Sequence, residues 1–267
     1  MYLTIVICKP MNITGQNSGA ITGKMNKAAR SVSVLLVLAQ LCMPVAYAQR
    51  LSMTTGATPP LSSTAERDGF AERLGREIFR RIGVEIEISV TPAERALINV
   101  NAGIDDGDLL RIAGMENEYP NLIRIPEKMM DFEFVAFALD PAIRIDGIGG
   151  LKPYAVAYAT GWKYYERNVK DFAELTTTRG LGELFTLLKS GRTQVVLADR
   201  WQGLWAGRQN GAKVFVVEPP FAKSEMFIYL NKRHAALVPR AATALAGMKA
   251  DGTYDRIFNA TLRQFEK

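Results

Sequence analysis

Side chains able to carry covalent chemistry are few in this 267-residue chain. His234 is its single histidine and Cys8 and Cys42 its two cysteines. A Ser-His-Asp or Cys-His pair would have to assemble around that one imidazole. His234 closes the stretch Asn231-Lys232-Arg233-His234 behind an apolar run, a setting that reads as a surface loop. The chain has no Gly-x-Ser-x-Gly elbow and no phosphate-binding loop. Gly180 and Gly182, like Gly147 and Gly149, lack the third glycine of a dinucleotide fingerprint. Hydrolase, kinase and dehydrogenase chemistry therefore lose their usual groups.

The remaining candidates are charged residues set in apolar surroundings. Asp105, Asp106 and Asp108 cluster in Gly103-Ile104-Asp105-Asp106-Gly107-Asp108, but the spacing misses the calcium-loop pattern and no later glutamate completes it. A turn between helix and strand explains them better. Arg111 falls inside the apolar run Leu109 to Ala113, where an unpaired charge is costly. It either forks a ligand carboxylate or pairs with an internal acid such as Asp108 or Glu94. Arg95, in the first turn of a predicted helix, is a second candidate cation. Asp199 lies between an apolar strand and a helix beginning at Arg200, a favoured place for an N-cap. Two carboxylates acting as in glycosidases stay open as an alternative, because their separation is a three-dimensional quantity.

The elements that must hold these residues alternate along the chain. A short strand from Leu51 to Thr55 ends at Gly56 before Pro59-Pro60. Ala71, Leu74, Ile78 and Ile82 repeat at spacings of three and four, an amphipathic helix closed by Gly83. Val84, Ile86, Ile88 and Val90 then alternate with polar residues as in a strand with one wet face. Thr91-Pro92-Ala93-Glu94 has the composition of a capping box, opening a helix that ends near Gly103. Further strands are predicted over 109–113, 122–125, 132–139, 154–159, 193–198, 213–217 and 226–230. Helices are predicted over 180–190 and 200–209, with a helical tail over 235–265 broken near Asp251-Gly252. This alternation predicts α/β sheets covered on both faces.

The N-terminal segment reads as a secretory leader. From Met25, the charged stretch through Lys27 and Arg30 precedes an apolar run over 32–45 and the small-x-small site Ala46-Tyr47-Ala48. The expectation is a signal peptide over 25–48 cut after Ala48, with 1–24 a non-native or unstructured extension ahead of the true start. Four of the 33 basic residues (Lys9, Lys24, Lys27, Arg30) and none of the 27 acidic ones precede the cut, leaving 29 against 27. That near balance gives no reason to expect nucleic acid or membrane insertion of the mature chain. Both cysteines also leave, so the fold must stand on its hydrophobic core.

The order of elements carries a resemblance. The Pro-Pro after the first strand, Gly69-Phe70 opening the first helix and Asp106-Gly107 before a strand come first. Leu188-Lys189-Ser190-Gly191-Arg192 then leads into Val195-Val196-Leu197-Ala198-Asp199. Together these resemble the family 3 extracellular solute-binding proteins, over essentially the whole mature chain. The resemblance implies the type II periplasmic-binding-protein fold: two α/β lobes, each a sheet flanked by helices, joined by two crossover segments. Here it places lobe one over 50–138 plus 224–267, lobe two over 142–219, and hinges near 139–141 and 220–223. It implies a small-molecule ligand, an amino acid or a related anion, held in the interlobe cleft. Delivery to an inner-membrane ABC permease, a periplasmic location, no cofactor and no catalysis follow from it. A sensor component of the same fold is the alternative. The resemblance further assigns Asp199 to the ligand ammonium and places a small-residue turn at Thr160-Gly161-Trp162, whose free N–H groups form a natural anion site. Trp162 either walls the ligand or packs in lobe two.

Two departures alter the lobe-one contacts. Thr58 stands beside the Pro-Pro where the family usually has an aromatic residue. Met115-Glu116-Asn117-Glu118-Tyr119 lacks the carboxylate-binding arginine usual in that segment.

Overall fold

The computed structural model describes residues 49–65, 67–170 and 172–266. The leader over 25–48, the extension over 1–24 and the cut after Ala48 lie outside them. Local patterning builds the first half as expected. The alternating apolar residues form β1 (Gln49–Thr55) and β2 (Val84–Val90), which run parallel with Leu51 beside Ile86 and Met53 beside Ile88. Between them, α1 (Phe70–Arg81) buries Phe70, Ala71, Leu74, Ile78 and Phe79 on one face. A second helix, α2 (Ala93–Ala102), leads to β3 (Gly107–Ile112), which lies parallel to β1 on its other side. The short β4 (Leu122–Arg124) precedes β5 (Met130–Ala138).

The second half holds β6 (Val156–Ala159), α3 (Lys163–Asn168), β7 (Leu175–Thr178), α4 (Leu181–Lys189), β8 (Val195–Asp199) and α5 (Arg200–Gln209). The chain returns through β9 (Phe215–Asn231) and ends in α6 (Val238–Ala250) and α7 (Thr253–Thr261). The strand order is β2-β1-β3-β9-β5-β8-β6-β7, with β4 also paired to β9. The long strands β9 and β5 thus connect two parallel half-sheets. Their antiparallel register breaks between Phe134 and Ala136, opposite Ala222 and Val217.

Each half-sheet is covered on both faces, as α/β layering requires. In β9, Met226, Ile228 and Leu230 face one core cluster while Phe227 and Tyr229 face another. In β8, Val196 and Ala198 face the first cluster and Val195 and Leu197 a third. The period-two alternation of strand side chains produces both splits. No helix of the described residues is long and apolar enough to cross a membrane.

Several local expectations change. The capping box does not form: Pro92 is the N-cap, without a side-chain cap bond. Glu94 instead accepts from the Tyr119 hydroxyl at 3.1 Å, a tertiary partner that outcompetes the local one. The strands predicted separately over 213–217 and 226–230 form one continuous β9, with Pro219-Pro220 inside it at the register break, where the β5 ladder leaves its residues unpaired. Strand β7 was not predicted, because Leu175-Thr176-Thr177-Thr178 offers one apolar residue and no alternation. His234 is not a loop side chain in water; its ring is 13% exposed and packs against Asp106, which also pairs with Arg233.

Candidate functional site

The carboxyl ends of β1, β3 and β6 border a cavity of about 880 Å³ that both half-sheets line. From the first half come the turn after β1 (Thr55 to Pro59), Leu110, Arg111 and Ile112. From the second come Ala159 to Tyr164, Arg167, Asn168, the turn from Arg179 to Gly182, and Gln202 and Trp205 of α5. Phe132 and Phe134 of β5, with Ser224 and Met226 of β9, form the part contributed by the crossing strands. Open α/β sheets place ligands at the carboxyl ends of their strands, and the volume lies in the range of small-molecule pockets.

One wall is aromatic. Phe132 and Phe134, two apart on β5, share a strand face, and their ring centroids lie 5.2 Å apart. Trp162 lies 5.9 Å from Phe132, and Tyr164 stacks on Phe134 at 4.3 Å. Behind them the fully buried Tyr165 donates its hydroxyl to Ala198 O at 2.8 Å, and burial pushes that hydroxyl's pKa well above its ordinary value. Trp162 therefore both walls the cavity and packs in the second half. The sequence signal for this wall is the Phe-x-Phe alternation at the start of the strand predicted over 132–139.

Arg111 reaches the cavity, and it also has an internal partner. Its Nε and Nη2 lie 2.8 and 2.7 Å from Asp108 Oδ2, and Nη2 donates weakly to Ala93 O at 3.3 Å. Of the two readings open at sequence level, the Asp108 pair is present, while Nη1 makes no hydrogen bond to any described residue. Asp108 is fully buried, and that burial outweighs the attraction of Arg111 and holds its carboxyl above the usual range.

Asp199 does not face the cavity. It is completely buried as the N-cap of α5, with Oδ1 accepting from the Trp201 and Gln202 N–H groups at 3.0 Å each. Its Oδ2 accepts from the Glu133 N–H at 3.3 Å. Asp199 is thus a helix cap with three backbone N–H partners, as the local reading of the strand–helix junction expected, and it is not among the residues that line the cavity. Burial raises its pKa to about 7, against the lowering effect of those three N–H groups.

Thr160 and Gly161 line the cavity, but the N–H of Gly161 is not free for an anion. Glu166 Oε1 accepts it at 2.7 Å, while Glu166 Oε2 pairs with Lys163 at 2.8 Å. Those two contacts hold the Glu166 carboxyl below its ordinary range. The anion site expected at this turn is thus occupied by the chain's own carboxylate. Arg95 is exposed on α2 and does not line the cavity.

Two cations escaped sequence reasoning. Arg167 and Arg179 line the cavity, and neither side chain makes a hydrogen bond or ion pair among the described residues. Nothing in their local pattern marked them, since exposed arginines are usually solvated. Among the described residues, no aspartate or glutamate lines this cavity. The described residues contain no cluster of three or more His, Cys, Asp or Glu fit for a metal.

No family model matches the chain. An uncharacterized protein of Shewanella oneidensis is 25% identical over 210 residues, covering 74% of this chain and 77% of that protein. Among solved structures, a probable amino-acid ABC transporter extracellular-binding protein from Bacillus subtilis is similar, with a TM-score of 0.68 and 19% identity. The match covers 80% of this chain and 98% of that one. An ancestral arginine-binding protein bound to arginine aligns with a TM-score of 0.62 and 23% identity over 79% of this chain and 97% of that one. A histidine kinase sensor domain similar to periplasmic binding proteins aligns with a TM-score of 0.63 and 18% identity over 80% and 96% of the two chains. The fold is that of the two-lobed periplasmic binding proteins.

Proposed function

We propose that this chain is an exported periplasmic solute-binding protein that captures a small polar solute between its lobes for an inner-membrane ABC permease. The observation that carries the reading is the 880 Å³ cavity at the strand ends, lined from both half-sheets and floored by the two crossing strands. A solute touching both walls at once would shift the population toward a closed state, with the register break in β5 and β9 as the hinge. Arg111 offers its free Nη1, and Thr160, Gly161 and Trp162 form the opposing wall. The solute-binding and sensor proteins of the same fold support a binding role.

The test is a melting-temperature screen of the purified chain against amino acids, polyamines, organic acids and small sugars. A true solute at a hundredfold excess over its Kd adds about 2.7 kcal/mol of stability. A panel that leaves the melting temperature unmoved overturns the proposal. The histidine kinase sensor domain of the same fold favours a second reading, a sensor component. Affinity capture from membranes separates the two: a permease supports transport and a receptor supports sensing.

A further inference from the structure

Resting on the binding reading above, we infer that the solute is an organic carboxylate with an aromatic-sized apolar body and no protonated amine. Among the described residues, the charged side chains lining the cavity are Arg111, Lys163, Arg167 and Arg179, and every one is a cation. An ammonium group entering it would find no lining carboxylate among the described residues and two guanidinium groups, Arg167 and Arg179, without a hydrogen-bonded counter-ion, and a desolvated charge without a partner is costly.

Three described acids close to the cavity are engaged elsewhere. Asp108 is closed off behind Arg111 and accepts from the Leu110 N–H at 3.2 Å. Asp199 accepts three backbone N–H groups, and Glu166 holds Gly161 and Lys163. Anions have the opposite situation. Among the described residues neither the Arg167 nor the Arg179 side chain makes a hydrogen bond or salt bridge, Arg111 Nη1 makes no hydrogen bond, and guanidinium groups match carboxylates in geometry.

The size and lining exclude an inorganic anion as the main occupant. Phe132, Phe134, Trp162, Tyr164 and Trp205 present ring surface to a volume far larger than phosphate or sulfate needs. A flat apolar body stacked on that wall, with its carboxylate toward the arginines, uses both features. The same rings could attract a cation through their faces, but the surrounding positive charge opposes it.

The experiment measures the full chain against matched pairs differing only in the α-amino group: 3-phenylpropanoate with phenylalanine, and glutarate with glutamate. Phenethylamine serves as the cationic control. We expect 3-phenylpropanoate to bind at least tenfold more tightly than phenylalanine, a difference of about 1.4 kcal/mol. Phenethylamine should not bind. The double variant Arg167→Gln/Arg179→Gln should weaken 3-phenylpropanoate at least tenfold while the ligand-free melting temperature stays put, since neither side chain makes a hydrogen bond or salt bridge among the described residues. Phenylalanine or glutamate binding as tightly as its amine-free counterpart overturns the inference and leaves the solute-binding reading standing. Glutarate preferred over 3-phenylpropanoate overturns the aromatic body, and binding confined to sugars or polyamines overturns the carboxylate. Silence from these pairs and from the wider panel overturns both readings.

Discussion

Arg111 Nη2 sits 2.7 Å from Asp108 Oδ2, and through this pair the cavity's one cation on β3 is tied to a carboxylate with no solvent exposure. The pair makes Arg111 a rigid donor, because its fork is oriented from behind. Replacing it by Arg111→Met leaves Asp108 buried without its counter-charge, which should cost about 3–5 kcal/mol at pH 7. Burial already holds the Asp108 pKa above its ordinary value, and losing Arg111 raises it further. The penalty belongs to the ionised form, so it is present at pH 7 and shrinks as pH falls toward the unfolded-state value. Urea unfolding at pH 7 and pH 4 checks this, and equal losses at the two pH values would refute it.

Asp199 predicts a pH dependence of its own. Its folded pKa of about 7 lies above the ordinary 3.8, so the folded state holds this proton where the unfolded chain releases it. Stability from this group is therefore highest below about pH 4 and falls as pH rises toward 7, by at most about 1.4 kcal/mol per pH unit. Asparagine caps helices about as well as aspartate and carries no charge. Asp199→Asn should keep the fold and flatten this part of the stability profile. An unchanged slope between pH 4 and 7 would exclude Asp199 as its source.

The three tryptophans give a direct optical test of where the solute sits. Trp162 and Trp205 line the cavity, whereas Trp201 is buried against Phe258 with ring centroids 5.2 Å apart. A bound solute should change intrinsic fluorescence, and Trp162→Phe/Trp205→Phe should abolish the change while calorimetry still detects binding. A response that persists from Trp201 alone would place the solute elsewhere.

Gly203 marks where α5 meets β5. A Cβ there would fall 2.1 Å from Phe137 Cε2, far inside contact distance, in a fully buried setting. Gly203→Ala should destabilise by about 1–3 kcal/mol through overpacking. Adding Phe137→Leu should give a combined loss smaller than the sum of the single ones, as coupled neighbours do. Strict additivity in denaturant melts would show that helix and strand do not press together there.

Much of the frame was legible because its signals are local. The three-and-four spacing of Ala71, Leu74 and Ile78 and the alternation of Val84, Ile86 and Ile88 each describe one face of one element. Strand β7 escaped because Thr176 to Thr178 carry no alternation, its pairing to β6 coming from the sheet. The capping box at Thr91 failed for the complementary reason, since Glu94 found Tyr119, 25 residues away.

The candidate site was legible only in part. Arg111, Thr160, Gly161 and Trp162 do border the cavity, whereas Arg95 lies outside it and Asp199 behind it. The local reading of Asp199 as a cap agrees with its bonds to Trp201 and Gln202.

By itself the sequence determined the order of strands and helices, the scarcity of nucleophiles and the choice of residues that need partners. Those properties depend on side-chain type and on spacing within a few residues. Only the tertiary structure decided which charges are satisfied internally and which face the cavity. Asp199 turns into backbone, Glu166 accepts the Gly161 N–H, and Arg167 and Arg179 line the cavity without a hydrogen bond or salt bridge among the described residues. Pairing energy depends on distance and burial between segments that meet only after folding, and no local periodicity encodes either quantity.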